Sequence, residues 1–225
     1  KGSGWDLATI EKAGFAPVRL DVLNKMAELQ ALTDSDMVNA QRAAMTDPNA
    51  PNPSVEAILH AIIPFTFVDH THADAVVTIS NSPGGEKRLQ EIYGEEVLIL
   101  PYVMPGFVLA RQVYELTAGI NWSKLKGIVL LHHGVFTFSD DARESYENMI
   151  DLVSKAEVYL AEHVATESAA ATANAANLQQ MAAMRRAASR VRGSAMLARL
   201  TSDAEAVQFS ARSNVAPIAG RGPLK

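Results

Sequence analysis

Residues 51–77 read PNPSVEAILHAIIPFTFVDHTHADAVV. The stretch leaves a loop at 47–53 that holds three prolines and two asparagines. Asn52 is a favoured helix cap and Pro53 suits a first helical position, so a helix is expected over 53–63. It would carry Glu56 in its first turn and His60 one turn later on the same face. From Phe65 the pattern turns β-like as far as residue 80, with Phe67-Val68 and the run AVVTI at 75–79 as its cores. His70 and His72 lie two apart in that run. On a strand they share a face, with Cα atoms about 7 Å apart, and two imidazoles so placed can converge on one metal ion. The plainer alternative is a pair of exposed or hydrogen-bonded strand histidines. Glu56 likewise has two readings. It stabilises a helix dipole by about 0.3–1 kcal/mol, or it serves as a general acid/base. His60 reads as a packed histidine.

Downstream, 81–85 is a turn, 86–93 a helix stopped by Gly94, 97–102 an apolar strand and 106–117 a helix. GIVLLH at 127–132 is a continuous apolar run, typical of a strand buried on both faces. β structure resumes at 135–138 after Gly134, and 140–163 patterns as a long amphipathic helix. His132 and His133 end the apolar run. Neighbouring strand residues face opposite ways, so only one of them can join the other histidines, and parity does not say which. Upstream, a short helix is expected at 5–12 after the Gly2-Ser3-Gly4 turn, and a strand at 16–23. A helix at 37–45 is capped from the cluster Thr33-Asp34-Ser35-Asp36. Residues 165–188 are alanine-rich and pattern as a helix ending near Gly193. Ser202-Asp203-Ala204-Glu205 is a capping box for one more helix. The strand–helix mix up to residue 163 implies an α/β layered domain, and 164–225 an alanine-rich helical extension.

Of the 225 residues 48% are hydrophobic, enough for a core, and the net charge is −5. That charge disfavours a broad grip on nucleic acid, and an anionic substrate would need a local cation or helix N-termini. With no cysteine, disulfides, thiol catalysis and Cys-bound zinc are excluded, and a cytoplasmic setting fits. No apolar run approaches the roughly 18 residues of a membrane span. The stretch 97–110 is broken by Pro101, Pro105 and Gly106. Both ends read as cut from a longer protein.

Taken in order, Gly2-Ser3-Gly4, Pro53-Ser54-Val55-Glu56, His70-Thr71-His72 and His133-Gly134 resemble the class II aldolase/adducin family over about residues 1–163. The text around 51–77 is similar to the aldolase half of bifunctional rhamnulose-1-phosphate aldolase/alcohol dehydrogenase proteins. In those a dehydrogenase domain comes next, and Arg221-Gly222-Pro223 resembles the segment leading towards it. The resemblance implies a three-layer αβα fold around a largely antiparallel sheet. It implies zinc, or another first-row divalent metal, on His70, His72 and His133, since the family's third ligand directly precedes a glycine. It implies Glu56 as acid/base and a phosphate pocket at Gly2, Ser3, Gly4 and Ser54. The reaction implied is reversible cleavage of a ketose 1-phosphate to dihydroxyacetone phosphate and a small aldehyde. An epimerase or dehydratase on the same scaffold and a non-enzymatic adducin-like module are the alternatives. A homo-oligomer, a tetramer by the family's habit, is expected. The chain departs from the pattern where a Gly-rich phosphate segment normally comes earlier and where Val55 replaces one of two serines. No residue matches the tyrosine that some members supply from a neighbouring subunit, although Tyr93 and Tyr102 lie near in sequence.

Overall fold

The computed structural model describes residues 2, 4–163, 177–200, 203–212 and 215. The chain divides into two units, Lys1–Val164 and Ala165–Lys225. In the first, four strands form one sheet: β1 (Phe67–Thr71), β2 (Val97–Leu100), β3 (Gly127–Leu130) and β4 (Gly134–Ser139). Their spatial order is β1-β4-β3-β2. β1 and β3 each pair antiparallel with β4, and β2 runs parallel to β3. Two of the three pairings are therefore antiparallel.

Helices cover both faces. One core joins α1 (Leu20–Ala27), α2 (Asp34–Ala43), α3 (Ala57–Ile62) and α6 (Phe107–Leu116) to Leu100, Ile128, Leu130, Phe136 and Phe138. The other joins α4 (Asp74–Ser80), α5 (Gly85–Tyr93) and α7 (Ala142–His163) to Val97, Val129, Leu131 and Val135. The alternation of Ile128 and Leu130 against Val129 and Leu131 shows why 127–132 reads as unbroken apolar sequence: each strand face has its own core. Ile128, Val129 and Leu130 are essentially inaccessible, and each such burial contributes about 1.5–3 kcal/mol.

Several local expectations are met. Thr33 caps α2 by accepting the Asp36 N–H, and the loop at 47–53 carries no regular element. α5 stops at Gly94, whose φ of 56° suits glycine. Others are corrected. Residues 5–12 do not form a helix; there is only a 3₁₀ turn, Lys12–Gly14, at the end of that stretch. The Asp6 side chain accepts the Ala8 N–H, a local bond that competes with helix formation. The strand expected at 16–23 shrinks to one bridge, Val18 to Met45, because Leu23, Met26 and Ala27 bury at helical spacing in α1. The helix expected from Pro53 begins at Ala57, with Glu56 as its cap residue and the Ser54 hydroxyl accepting the Glu56 N–H. The run at 75–79 is helical, not β. Val76 and Ile79, with Ala75 and Ser80, bury one face of α4, and this packing overrides their β preference.

In the second unit, α8 (Leu178–Arg192) is capped by Asn177 and ends at left-handed Gly193. α9 (Ala204–Ser210) is capped by Asp203, which accepts from the Glu205 and Ala206 N–H groups. Ser202 and the first half, 165–176, of the helix expected over 165–188 fall outside the described residues. Among those described, no helix is long and apolar enough to cross a membrane.

Candidate active site

Three pieces of backbone meet at one end of the sheet. β1 carries His70 opposite Phe136 of β4, and His72 lies directly beyond the strand. The turn between β3 and β4 carries His133, which is almost fully buried. The entry to α3 carries Glu56. Gly134 makes the approach possible. A Cβ there would lie 2.5 Å from the Thr71 carbonyl oxygen, 2.9 Å from His72 Cδ2 and 3.1 Å from His70 Cε1. Any side chain at 134 would push apart the strand that bears the two histidines.

The four side chains converge. Glu56 Oε1 lies 2.6 Å from His133 Nε2, 3.5 Å from His70 Nε2 and 3.9 Å from His72 Nε2. One donor atom from each residue lies within 4.8 Å of every other. His70 is fixed from two sides. Its Nδ1–H donates to the Val135 carbonyl at 3.0 Å, and its ring stacks on Phe136 with centroids 3.9 Å apart. That bond fixes the ring and turns Nε2 towards the cluster. Nε2 of His70 is buried and makes no hydrogen bond among the described residues. A buried nitrogen without a hydrogen-bond partner, facing two further imidazoles and a carboxylate, fits the donor set of a divalent metal site. Atoms bound to zinc at about 2.0–2.1 Å lie at most about 4.2 Å apart, so small side-chain rotations close this cluster on one ion.

Burial pushes the Glu56 carboxyl up, but its hydrogen bond with His133 and the close approach of the His70 ring outweigh it and hold the group well below the usual carboxylate range. Glu56 is therefore ionised at the centre of the cluster. His60 stays outside. Its Nδ1–H donates to the Val68 carbonyl and its ring packs edge-on against Phe136, 5.4 Å between centroids; burial pushes its pKa down and favours the neutral ring. His132 is exposed and turned towards Asn81, and His163 bonds back to its own helix. Tyr93 is buried with its hydroxyl donating to the Leu152 carbonyl, and Tyr102 is exposed near His132.

A cavity of about 510 Å³ opens beside Glu56 and His70, with Gly2, Phe15, Ser54 and Asp69 in its walls. Of the residues expected to bind phosphate, Gly2 and Ser54 line it and Gly4 does not; Ser3 lies outside the described residues. The expected helix N-terminus after Gly4 is missing, and the Gly2 N–H donates to the Gly14 carbonyl at 2.7 Å. That amide is occupied within the protein and is not open to an anion. A larger hollow of about 920 Å³ reaches His60 from α1 and α6 and includes none of the four converging residues.

The family profile of the class II aldolase and adducin N-terminal domain matches residues 1–160. The chain belongs to this family. A solved relative, the N-terminal class II aldolase domain of a conserved protein from Thermoplasma acidophilum, is 40% identical, with a TM-score of 0.64 over 71% of this chain and 73% of that one. The uncharacterized oxidoreductase YuxG of Bacillus subtilis is 33% identical over 164 residues. The match takes in 73% of this chain and 24% of that protein, so the chain spans about a quarter of that relative's length. The three-layer α/β architecture is thus that of a class II aldolase domain, and its four converging residues are arranged as a candidate metal site.

Nothing in the sequence pattern pointed to Phe136 or Val135. Their part depends on strand register, which places Phe136 opposite His70. Gly134 carried a signal, a glycine directly after a histidine, but its reason is visible only once β4 lies against β1.

Proposed function

We propose that this domain catalyses reversible aldol cleavage of a ketose 1-phosphate of the rhamnulose-1-phosphate type. The observation that carries the reading is the ionised Glu56 carboxylate at the meeting point of His70, His72 and His133, beside a cavity of sugar-phosphate size. The three histidines would hold zinc or another divalent metal. When bound, the metal supplies Lewis-acid stabilisation of negative charge on the substrate's carbonyl oxygen. Imidazole ligands add no charge, so the full divalent charge serves that purpose.

In cleavage the C3–C4 bond breaks. The C4 hydroxyl loses its proton to solvent and becomes an aldehyde, and the electron pair stays with the three-carbon phosphate. Glu56, a carboxylate at rest, takes up a proton from solvent and passes it to C3, returning to its ionised form; in synthesis it removes the C3 proton. Its ionised state is the form a base needs, and its place beside the histidines keeps it within reach of the reacting carbon. Gly2 and Ser54 form the wall assigned to the phosphate. Self-association into a homo-oligomer and a cytoplasmic location belong to the same reading.

The test is Glu56→Gln, assayed for dihydroxyacetone phosphate and aldehyde release from rhamnulose 1-phosphate. Wild type is expected to release both. The variant should keep its metal and lose most cleavage. Undiminished turnover would remove Glu56 from its role. Wild-type conversion to an epimeric ketose phosphate without aldehyde would overturn the aldolase reading, and a chain that takes up no metal would favour an interaction module.

A further inference from the structure

His132 falls outside the cluster yet has an unusual backbone. Its φ of 59° makes it the one non-glycine with positive φ among the described residues. It stands third in a turn closed by the His133 N–H donating to the Leu130 carbonyl at 3.1 Å. A turn with positive φ at that position is normally given to glycine or asparagine. Here the conformation is held from outside. The His132 N–H donates to the Ser80 hydroxyl, and the His132 Nδ1–H donates to the Asn81 side-chain carbonyl at 2.7 Å. Ser80 is buried at the last position of α4, and Asn81 is its C-terminal cap. The same helix begins two residues after His72. Its near end therefore adjoins one converging histidine, and its far end grips the residue before another.

We infer that Ser80, Asn81 and His132 form a clip that aims His133 at the metal. The clip holds residue 132 in a left-handed turn, and that turn sets the direction of the next side chain. These are positioning residues, and the inference rests on the metal reading above.

The test uses the full chain, stripped of metal and titrated with Co²⁺ while visible absorption reports the coordinated ion. Circular dichroism checks that each variant is folded. Wild type should bind cobalt. Ser80→Ala and Asn81→Ala should bind it roughly ten- to a hundredfold more weakly, with altered bands. Asn81 is exposed, so its variant carries the test if Ser80→Ala fails to fold. In a His132→Gly background the left-handed backbone is unstrained and no ring nitrogen remains for Asn81, so adding Asn81→Ala should change affinity less than twofold. A wild type that binds no cobalt overturns the metal reading and this inference together. A wild type that binds, with both single variants binding equally well, overturns the clip alone. So does an equal loss from Asn81→Ala in both backgrounds.

Discussion

Gly134→Ala should damage the cluster without touching any of its four members. The added Cβ would sit 2.5 Å from the Thr71 carbonyl oxygen, far inside van der Waals contact, with two imidazole carbons at 2.9 and 3.1 Å. The rings can swing aside. The carbonyl cannot, because Thr71 is paired with Val135 in the sheet. Relief must come from moving the end of β1 away from β4, and overpacking of this kind costs about 1–3 kcal/mol. For a unit of this size that lowers the melting temperature by about 2–12 °C. The displaced strand end also carries His70 and His72 away from His133. Zinc affinity, read by competition with a chromophoric chelator, should fall by about tenfold or more, in the range seen when residues supporting metal ligands are removed. A variant that melts within a degree of wild type and binds zinc equally tightly would refute the close-approach argument.

His72→Ala should abolish stoichiometric metal, measured by elemental analysis; a full zinc equivalent in that variant would strike His72 from the ligand set. Tyr93→Phe removes the hydroxyl's hydrogen bond to the Leu152 carbonyl, at a cost of about 1 kcal/mol in denaturant unfolding, while the proposed aldol turnover stays at the wild-type level. Hydrogen bonds from Lys126 and Lys155 hold the Glu96 carboxyl below its usual range. Its contribution to stability is present above the unfolded pKa and fades as pH falls through the lower folded value. The melting-temperature gap between wild type and Glu96→Gln, small for so exposed a network, should therefore shrink as pH drops below about 4 and as salt is added.

The layered core was legible because its signals are local and periodic. The run at 127–132 reads as a strand covered on both faces, and His70 with His72 showed the two-residue spacing of a strand face. The choice between His132 and His133 was not legible from parity, and the structure shows why. β3 ends at Leu130 and β4 starts at Gly134, so both histidines lie in a turn where strand alternation does not apply. α4 was hidden for a different reason. Val76, Val77, Thr78 and Ile79 carry β preference, and only the neighbouring α5 and α7 make a helix the better burial. The start of α3 was misread because Asn-Pro-Ser satisfies every local rule for a helix entry, yet the chain spends those residues in the loop. The Gly-Ser-Gly turn misled in the same way. Its meaning depends on the residues immediately after it, and Asp6 diverts the backbone there.

Zinc-edge anomalous diffraction from crystals of the full chain grown with Zn²⁺ tests the central claim most directly. One strong peak per chain is expected, about 2.0–2.1 Å from imidazole nitrogens of His70, His72 and His133, with Glu56 beside it. Zinc bound elsewhere, or bound without His133, would contradict it.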